Sequence, residues 1–313
     1  MRIVLDLTKL VAEGKLTPTQ AAELQALAKT DASFFAISIL MAFGVVAIAA
    51  GVMALVPSAI TAIALGLVLA GGGVVVSLRS GPQWSLLGTA VTIVGALIAS
   101  AGIVGQCQPH WIGFGIASIL LIGLAIAIRS AFLSALTVLS LAGLLGSTTG
   151  YDFASYFLEV QEPTITIVVF SLLALAAYFI GLRVSADYER LTFSFARLSL
   201  VMVNFGFWIG SLWGDNPGRS WRHGVTNPTI PDYVFVIVWA VALIGVGIWA
   251  TRAGRRFVVN TAATFAAIHF YTQWFERLGA DPMTIALAGL LLVAVAVGLW
   301  RYNSATPQAA VSV

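Results

Sequence analysis

The residues that could do chemistry are polar side chains inside long apolar runs of the C-terminal half. Arg197 is the only charged residue that lies well inside such a run, and an unpaired charge in apolar surroundings is costly. On a helix, Asn204 shares the face of Arg197. In a later run, His269, Gln273 and Glu276 share one face at helical spacing. The two helices would run in the same direction, which puts Asn204 and His269 at comparable depth.

Two interpretations of these polar residues stay open. In the first, they line a polar cleft that opens outward, with Arg197 as a functional charge. In the second, they form hydrogen bonds between helices, and Arg197 extends its long side chain back toward the membrane surface. The candidate polar cluster consists of Arg197, Asn204, His269, Tyr271 and Gln273.

The segment Cys107-Gln108-Pro109-His110, together with His223, raises the question of a metal site. Two histidines and one cysteine without fixed spacing are a weak signal for metal binding. The chain has 1 Cys, which excludes an internal disulfide and a cysteine-based zinc site. We therefore predict no metal site.

Known catalytic signatures are absent from the sequence. It contains no HExxH, Gly-x-Ser-x-Gly, phosphate-binding loop or dinucleotide fingerprint. The net charge of +3 and the pI near 9.2 come from basic residues scattered singly at the ends of apolar runs, unlike a phosphate-binding surface. We predict a non-enzymatic protein without a cofactor and without a nucleic-acid partner.

Composition points to the lipid bilayer as the main partner. Of 313 residues, 59% are hydrophobic and 9% are charged, against about 25% charged in soluble domains. The apolar residues come in runs close to the ~20 residues that cross about 30 Å of hydrocarbon. The sequence therefore predicts an all-α, polytopic bundle of transmembrane helices.

We count ten apolar runs, and a proline lies at or just before six of them, where a helix tolerates it. The fourth and fifth runs are short and separated only by Arg129 and Ser130. If they formed one bent span, the count would be nine and the C-terminus would move outside. The predicted spans are about 33–55, 57–78, 84–104, 111–128, 131–147, 164–182, 191–213, 233–250, 257–275 and 283–300.

The distribution of basic residues predicts the orientation. With ten spans and both termini in the cytoplasm, 12 of the 16 Lys and Arg residues lie on the cytoplasmic side and 3 lie outside. Such a bias is typical of a correctly oriented membrane protein, because one missed span would invert every later loop. The longest connections, about 148–163 and 214–232, are predicted as outer loops.

Glycine spacing predicts close helix packing. Gly88 and Gly95 recur on one helix face, which is the usual device for close approach of helices in lipid. The run Gly71-Gly72-Gly73 could instead loosen the second span locally.

The N-terminal segment is predicted as a short cytoplasmic helical hairpin. Thr17, Pro18 and Gln20 form a capping-box pattern, and Gly14 could end a preceding helix. Such a hairpin is too small to fold alone and is available to a cytoplasmic protein partner. The predicted parts are the hairpin over 1–31, the bundle over 32–302 and a tail over 303–313.

Two segments resemble a known family. They are "LVAEGKLTPTQAAELQAL" before the first run and "GRRFVVNTAATFAAIHFYTQWFERLG" before the last. Together they are similar to the bacterial predicted-membrane-protein family catalogued as domain of unknown function 2157. The matching positions in the second segment are Arg255, Arg256, Asn260, Phe270, Tyr271 and Trp274. The resemblance covers about a quarter of the chain and implies a multi-pass protein of the bacterial cytoplasmic (inner) membrane, without implying a reaction.

Two functional hypotheses follow. The first is a non-enzymatic anchoring, sensing or scaffold protein whose hairpin contacts a cytoplasmic partner. The alternative is a small-molecule or lipid-related transporter, because ten spans in about 300 residues are similar in architecture to the drug/metabolite transporter superfamily. The first five spans carry no charged residue, and no proline interrupts a span, as it often does at a transporter's binding site.

Overall fold

A computed structural model of the chain divides it into two compact units, Met1–Leu133 and Ser134–Val313. The described residues are 10–11, 14–81, 84–152, 155–217, 228–279 and 281–305.

The described part of the chain is helical except for one β-hairpin. Each of the ten predicted apolar runs overlaps a helix of its own. The helices are α1 (Pro18–Leu55), α2 (Ala59–Arg79), α3 (Ser85–Gln106), α4 (His110–Ala127), α5 (Ala131–Leu144), α6 (Pro163–Gly181), α7 (Ala186–Trp213), α8 (Asp232–Arg252), α9 (Arg256–Leu278) and α10 (Pro282–Ala305).

Among the described residues, 7 helices are long and apolar enough to cross a membrane. They are α1 from Ile37 onward, α2, α3, α4, α6, α7 and α8. The remaining three differ for separate reasons. Helix α5 has 14 residues, about 21 Å at 1.5 Å per residue. Helix α9 is more polar. In α10, which runs to Ala305, the apolar segment with described side chains is Pro282–Gly298. The chain therefore has the helices of a multi-pass integral membrane protein.

Helix α1 begins at the predicted capping box and does not end at the predicted domain boundary. The Thr17 hydroxyl accepts from the Gln20 backbone N–H at 3.2 Å, and the Gln20 side chain accepts from the Thr17 N–H at 3.0 Å. The capping box is confirmed. The helix then continues for 38 residues, so the second arm of the predicted hairpin and the first span are one helix. Gly14 has φ +68°; residues 1–9 and 12–13 lie outside the described residues.

In the first unit, α2 and α3 pack backbone to backbone. A Cβ added at Gly88 would lie 2.6 Å from the Ser77 nitrogen, and one added at Gly73 would lie 2.5 Å from the Thr92 nitrogen. The pairing of later α2 residues with earlier α3 residues makes the helices antiparallel. Helix α2 is unbroken through Gly71–Gly73, so these glycines do not interrupt it; Gly73 provides close packing instead.

The fourth and fifth predicted spans are separate helices. Arg129 adopts φ +54°, and the Ser130 N–H donates to the Ala125 carbonyl at 2.9 Å. A left-handed residue of this kind ends a helix. The helix therefore breaks between the fourth and fifth predicted spans, and their separate crossing of the membrane stays a prediction.

The core of the second unit surrounds Trp239 of α8, which is 1% exposed. Its ring stacks on Phe207 of α7 at 6.3 Å with an interplanar angle of 3°. Phe265 of α9 lies 6.5 Å away. Helices α7, α8 and α9 thus meet around one indole ring, and α6 and α5 add Phe170 and Val138 to the same cluster.

The predicted outer loop at 148–163 contains a β-hairpin. Strand β1 (Ser147–Asp152) pairs antiparallel with β2 (Ser155–Val160), with Ser147 opposite Val160. The all-α prediction omitted this element. Two six-residue strands give a weak periodic signal beside the long apolar helices.

Candidate functional site

Arg197 lies near one end of the second unit. Its guanidinium carbon is 5.1 Å from the centre of the Phe257 ring, and Phe257 follows Arg256 at the start of α9. The arginine is therefore level with the α8–α9 turn, and its side chain is exposed. A cation over an aromatic face is stabilised by about 0.5–1 kcal/mol at such exposed sites. The side chain of Arg197 is thus held beside the first turn of α9.

Asn204 and His269 share one partner, the indole of Trp239. The Trp239 Nε1–H donates to Asn204 Oδ1 at 3.0 Å, and Asn204 Nδ2 donates to the Leu200 carbonyl at 2.8 Å. The His269 ring meets the Trp239 ring edge to face, with centroids 4.8 Å apart. Helices α7, α8 and α9 are joined through these three side chains.

Tyr271 and Gln273 make contacts elsewhere. The Tyr271 hydroxyl donates to the Ala288 carbonyl of α10, and Gln273 Oε1 accepts from Arg277 Nε at 3.3 Å. The structure thus brings Asn204 and His269 together through Trp239, while Arg197, Tyr271 and Gln273 have other partners. A further bond that sequence reasoning missed runs from Trp208 Nε1 to Thr272 Oγ1 at 3.0 Å.

The cavity beside Asn204 is small. It has a volume of about 50 Å³ and is lined by residues of α7, α8 and α9, among them Asn204 and Trp239. Small-molecule sites usually measure ~300–1,000 Å³, whereas a buried water occupies about 10–15 Å³ on this measure. The cavity can hold a few water molecules and no ordinary substrate.

Three polar atoms of α9 are buried without a hydrogen-bond partner. They are His269 Nδ1, Gln273 Nε2 and Trp274 Nε1. Buried polar atoms normally have a partner or an ordered water. His269 and Gln273 are four residues apart on one helix face, and Trp274 follows Gln273, all within the segment that carries the family resemblance.

A larger groove lies between α8 and α9. Its volume is about 600 Å³, its walls are almost entirely apolar, and it is largely open. Its lining runs from Arg252 and Thr251 at the α8–α9 turn to Ala240 and His269. This groove could not be predicted from the sequence, because small residues can serve close helix packing equally well.

The residues of the family resemblance form aromatic and cationic contacts. Arg255 Nη2 donates to the Tyr178 hydroxyl at 3.1 Å, and its guanidinium lies 5.4 Å from the centre of that ring. The Phe270 ring lies 5.0 Å from Trp274 and 6.0 Å from Tyr271. Arg255 thereby ties the α8–α9 turn to α6.

The Cys107 and His110 region forms a corner between α3 and α4. The Gln108 amide donates to His110 Nε2 at 3.1 Å, and His110 Nδ1 donates to the Val104 carbonyl at 3.0 Å. Both ring nitrogens thus have a partner within the corner. Across the described ranges, no three His, Cys, Asp or Glu side chains lie together as a metal site would require; His223 lies outside those ranges.

Asp215 is a buried carboxylate that sequence reasoning missed. It is 2% exposed, and its Oδ2 accepts from the Thr164 backbone N–H at 2.8 Å. Thr164 is the second residue of α6, so Asp215 caps this helix from a distant part of the chain and faces the positive end of its dipole. Its backbone also pairs with Ile230, which closes the base of the predicted outer loop 214–232.

Comparison of the chain with protein-family models, with curated proteins and with solved structures finds no match in any of the three.

Proposed function

We propose that the chain is a ten-span protein of the bacterial cytoplasmic membrane, with both termini in the cytoplasm. Support comes from the excess of Lys and Arg in the predicted inner loops and from ten helices that overlap the ten apolar runs. The resemblance of the two quoted segments to the domain of unknown function 2157 family belongs to the same proposal.

Within this topology, the protein acts as a non-enzymatic anchoring, sensing or scaffold protein. The observation that carries this proposal is the water-sized cavity at Asn204, about 50 Å³ in volume. Around it, the polar side chains of the predicted cleft bond neighbouring helices: Trp239 to Asn204, Trp208 to Thr272, and Tyr271 to Ala288. Such bonds contribute about 0.6 kcal/mol each in membrane bundles.

The N-terminal part of α1 is the proposed contact for a cytoplasmic partner. Helix α1 begins at Pro18, and the first predicted apolar run begins at about residue 33. At 1.5 Å per residue, about 22 Å of helix precedes that run. A helix that projects this far presents a surface beyond the headgroups, and its first turn is fixed by the capping box at Thr17.

The second candidate function is transport of a lipid-related molecule. The observation that favours it is the groove of about 600 Å³ between α8 and α9, whose size fits a ligand. Its almost entirely apolar walls suit a molecule that arrives from the bilayer.

Complementation of a chromosomal deletion separates the two candidates. One variant lacks residues 2–31, which removes the predicted hairpin and the part of α1 that precedes the apolar run. The other carries Gly247→Leu, which fills the groove between α8 and α9 without a backbone clash. The anchoring proposal expects the truncated chain to fail and the Gly247→Leu variant to complement at equal membrane abundance. Full activity of the truncated chain, with failure of the Gly247→Leu variant, would instead support transport.

A further inference from the structure

The groove between α8 and α9 has small side chains along its floor. Gly247, Ala262 and Ala266 lie along it, with Ile244 and Ile248 at its wall. A Cβ added at Gly247 would meet only the Ala262 Cβ, at 4.0 Å. The floor is therefore open at this point, and a chain-shaped apolar ligand has room to lie along it.

The groove is about half as long as the hydrocarbon core of a bilayer is thick. From Thr251 to Ala240 on α8, and from Val259 to His269 on α9, the length is about 15–16 Å at 1.5 Å per residue. The hydrocarbon core is about 30 Å thick, so the groove reaches from the α8–α9 turn to roughly the bilayer midplane. An acyl chain of one leaflet covers the same depth, whereas a transmembrane helix of a second copy would run twice as far.

The end of the groove at the α8–α9 turn, which we call its mouth, carries basic residues. Arg252 lines it, and Arg255 and Arg256 follow in the same turn. The first turn of α9 contains no acidic residue. Basic residues at the level of the headgroups attract anionic lipids.

We propose that this groove binds one anionic phospholipid, with an acyl chain along Gly247 and Ala266 and the phosphate at Arg252. The proposal depends on α9 crossing the bilayer, which belongs to the proposed topology. The ligand class is a glycerophospholipid with a net negative headgroup. Charge at the mouth selects the headgroup, and the apolar floor holds the chain.

Native mass spectrometry of the full chain in detergent tests the proposal, with phosphatidylglycerol and phosphatidylcholine as the added lipids. Gly247→Leu fills the groove without a backbone clash. Gly245→Leu is the matched control, because this glycine lies on the same helix with nothing within 4 Å and is absent from the groove lining. Arg252→Gln removes the charge at the mouth, and Arg79→Gln in the first unit is its control.

The expected result is one phosphatidylglycerol retained by the wild type and by Gly245→Leu, and its loss in Gly247→Leu. Arg252→Gln should lower the preference for phosphatidylglycerol over phosphatidylcholine about fivefold, with Arg79→Gln unchanged. Equal retention by all variants would overturn the proposal. So would a dimer mass that Gly247→Leu abolishes, which would assign the groove to a second copy of the chain.

A parallel labelling experiment separates failure of the groove from failure of the topology. Ala253→Cys and Asp281→Cys lie at opposite ends of α9, in a background with Cys107→Ser. Labelling of the two positions from opposite sides of the membrane, without selective lipid retention, would overturn the lipid site alone. Labelling of both from one side would overturn the proposed ten-span topology and, with it, the depth argument for the groove.

Discussion

Trp239 shows how one residue can join three helices. Its ring is buried against Phe207, its Nε1–H donates to Asn204, and it meets the His269 ring edge to face. Tryptophan combines a large apolar surface with one donor that needs a partner when buried. Without the Trp239 N–H, Asn204 Oδ1 would be an unsatisfied acceptor in an apolar interior.

Replacing Trp239 by Phe should lower the free energy of unfolding by about 0.6–1.7 kcal/mol from the lost hydrogen bond alone, plus a loss from the smaller ring. Trp249→Phe is the control for ring size in an indole that is 48% exposed, and it should change stability little. Unfolding of both variants in mixed detergent and dodecyl sulfate micelles measures the difference. Equal stability of the two variants would show that the Asn204 bond contributes nothing.

Asp215 is the second residue whose role is local and testable. Asp215→Ala removes the acceptor for the Thr164 N–H and should destabilise the protein by about 0.5–2 kcal/mol, as loss of a helix cap does. Asp215→Asn keeps an acceptor oxygen and should recover most of that stability. The same unfolding assay distinguishes them, and an Asn variant as unstable as the Ala variant would contradict the capping role.

At this scale, sequence pattern predicts local partners and misses distant ones. The Thr17 capping box was predictable because its partners lie three residues apart. The partners of Trp239 and Asp215 could not be predicted in this way. Asn204 lies 35 residues from Trp239, and Thr164 lies 51 residues from Asp215, so these pairs meet only after the helices pack. In the sequence, Arg197 lies well inside an apolar run. In the structure, its contact with Phe257 places it level with the start of α9.

Among the elements, the α2–α3 pair shows the closest approach that depends on glycine. Gly88 and Gly73 leave no room for a side chain, whereas Gly72 faces open space. Lipid offers no hydrophobic driving force between helices, so close van der Waals contact holds such pairs together. Small residues on one face and larger apolar residues on the other produce this arrangement.

The variant Gly88→Val should therefore disrupt this pair, at a cost of about 1–3 kcal/mol typical of overpacking. Gly72→Val changes the helix propensity in the same way and should be tolerated. Thermal unfolding in detergent reports the effect on each variant. A Gly72 variant that loses as much stability as the Gly88 variant would argue against the close α2–α3 contact.

Helix positions followed from the sequence because apolar runs and boundary prolines mark them; for example, α6 begins at Pro163 and α10 at Pro282. The β-hairpin at 147–160 was missed because two short strands carry little periodic signal. The continuity of α1 was missed as well. A polar helical stretch followed by an apolar one looks like two elements in hydropathy, although the backbone bonds continue through both.

For the whole molecule, apolar composition and helix length together identify a multi-pass membrane protein with 7 helices suited to crossing a bilayer. The proposed ten-span orientation depends on the distribution of Lys and Arg residues, because helix packing within each unit does not show which end of a helix faces the cytoplasm. The central proposal is that the polar side chains at the centre of the second unit connect helices around a cavity of about 50 Å³, which is too small for an ordinary solute.

Accessibility of single cysteines to membrane-impermeant thiol reagents tests this proposal most directly. Asn204→Cys, His269→Cys and Arg197→Cys are compared in a Cys107→Ser background, with exposed Thr229→Cys and Arg183→Cys as controls on the predicted outer and inner sides. We predict no labelling at 204 and 269, and labelling at 197 only in inverted membranes, because Arg197 lies beside Phe257 at the arginine-rich end of α9. Labelling of 204 and 269 from outside in intact cells would contradict it and establish a hydrated path through the bundle.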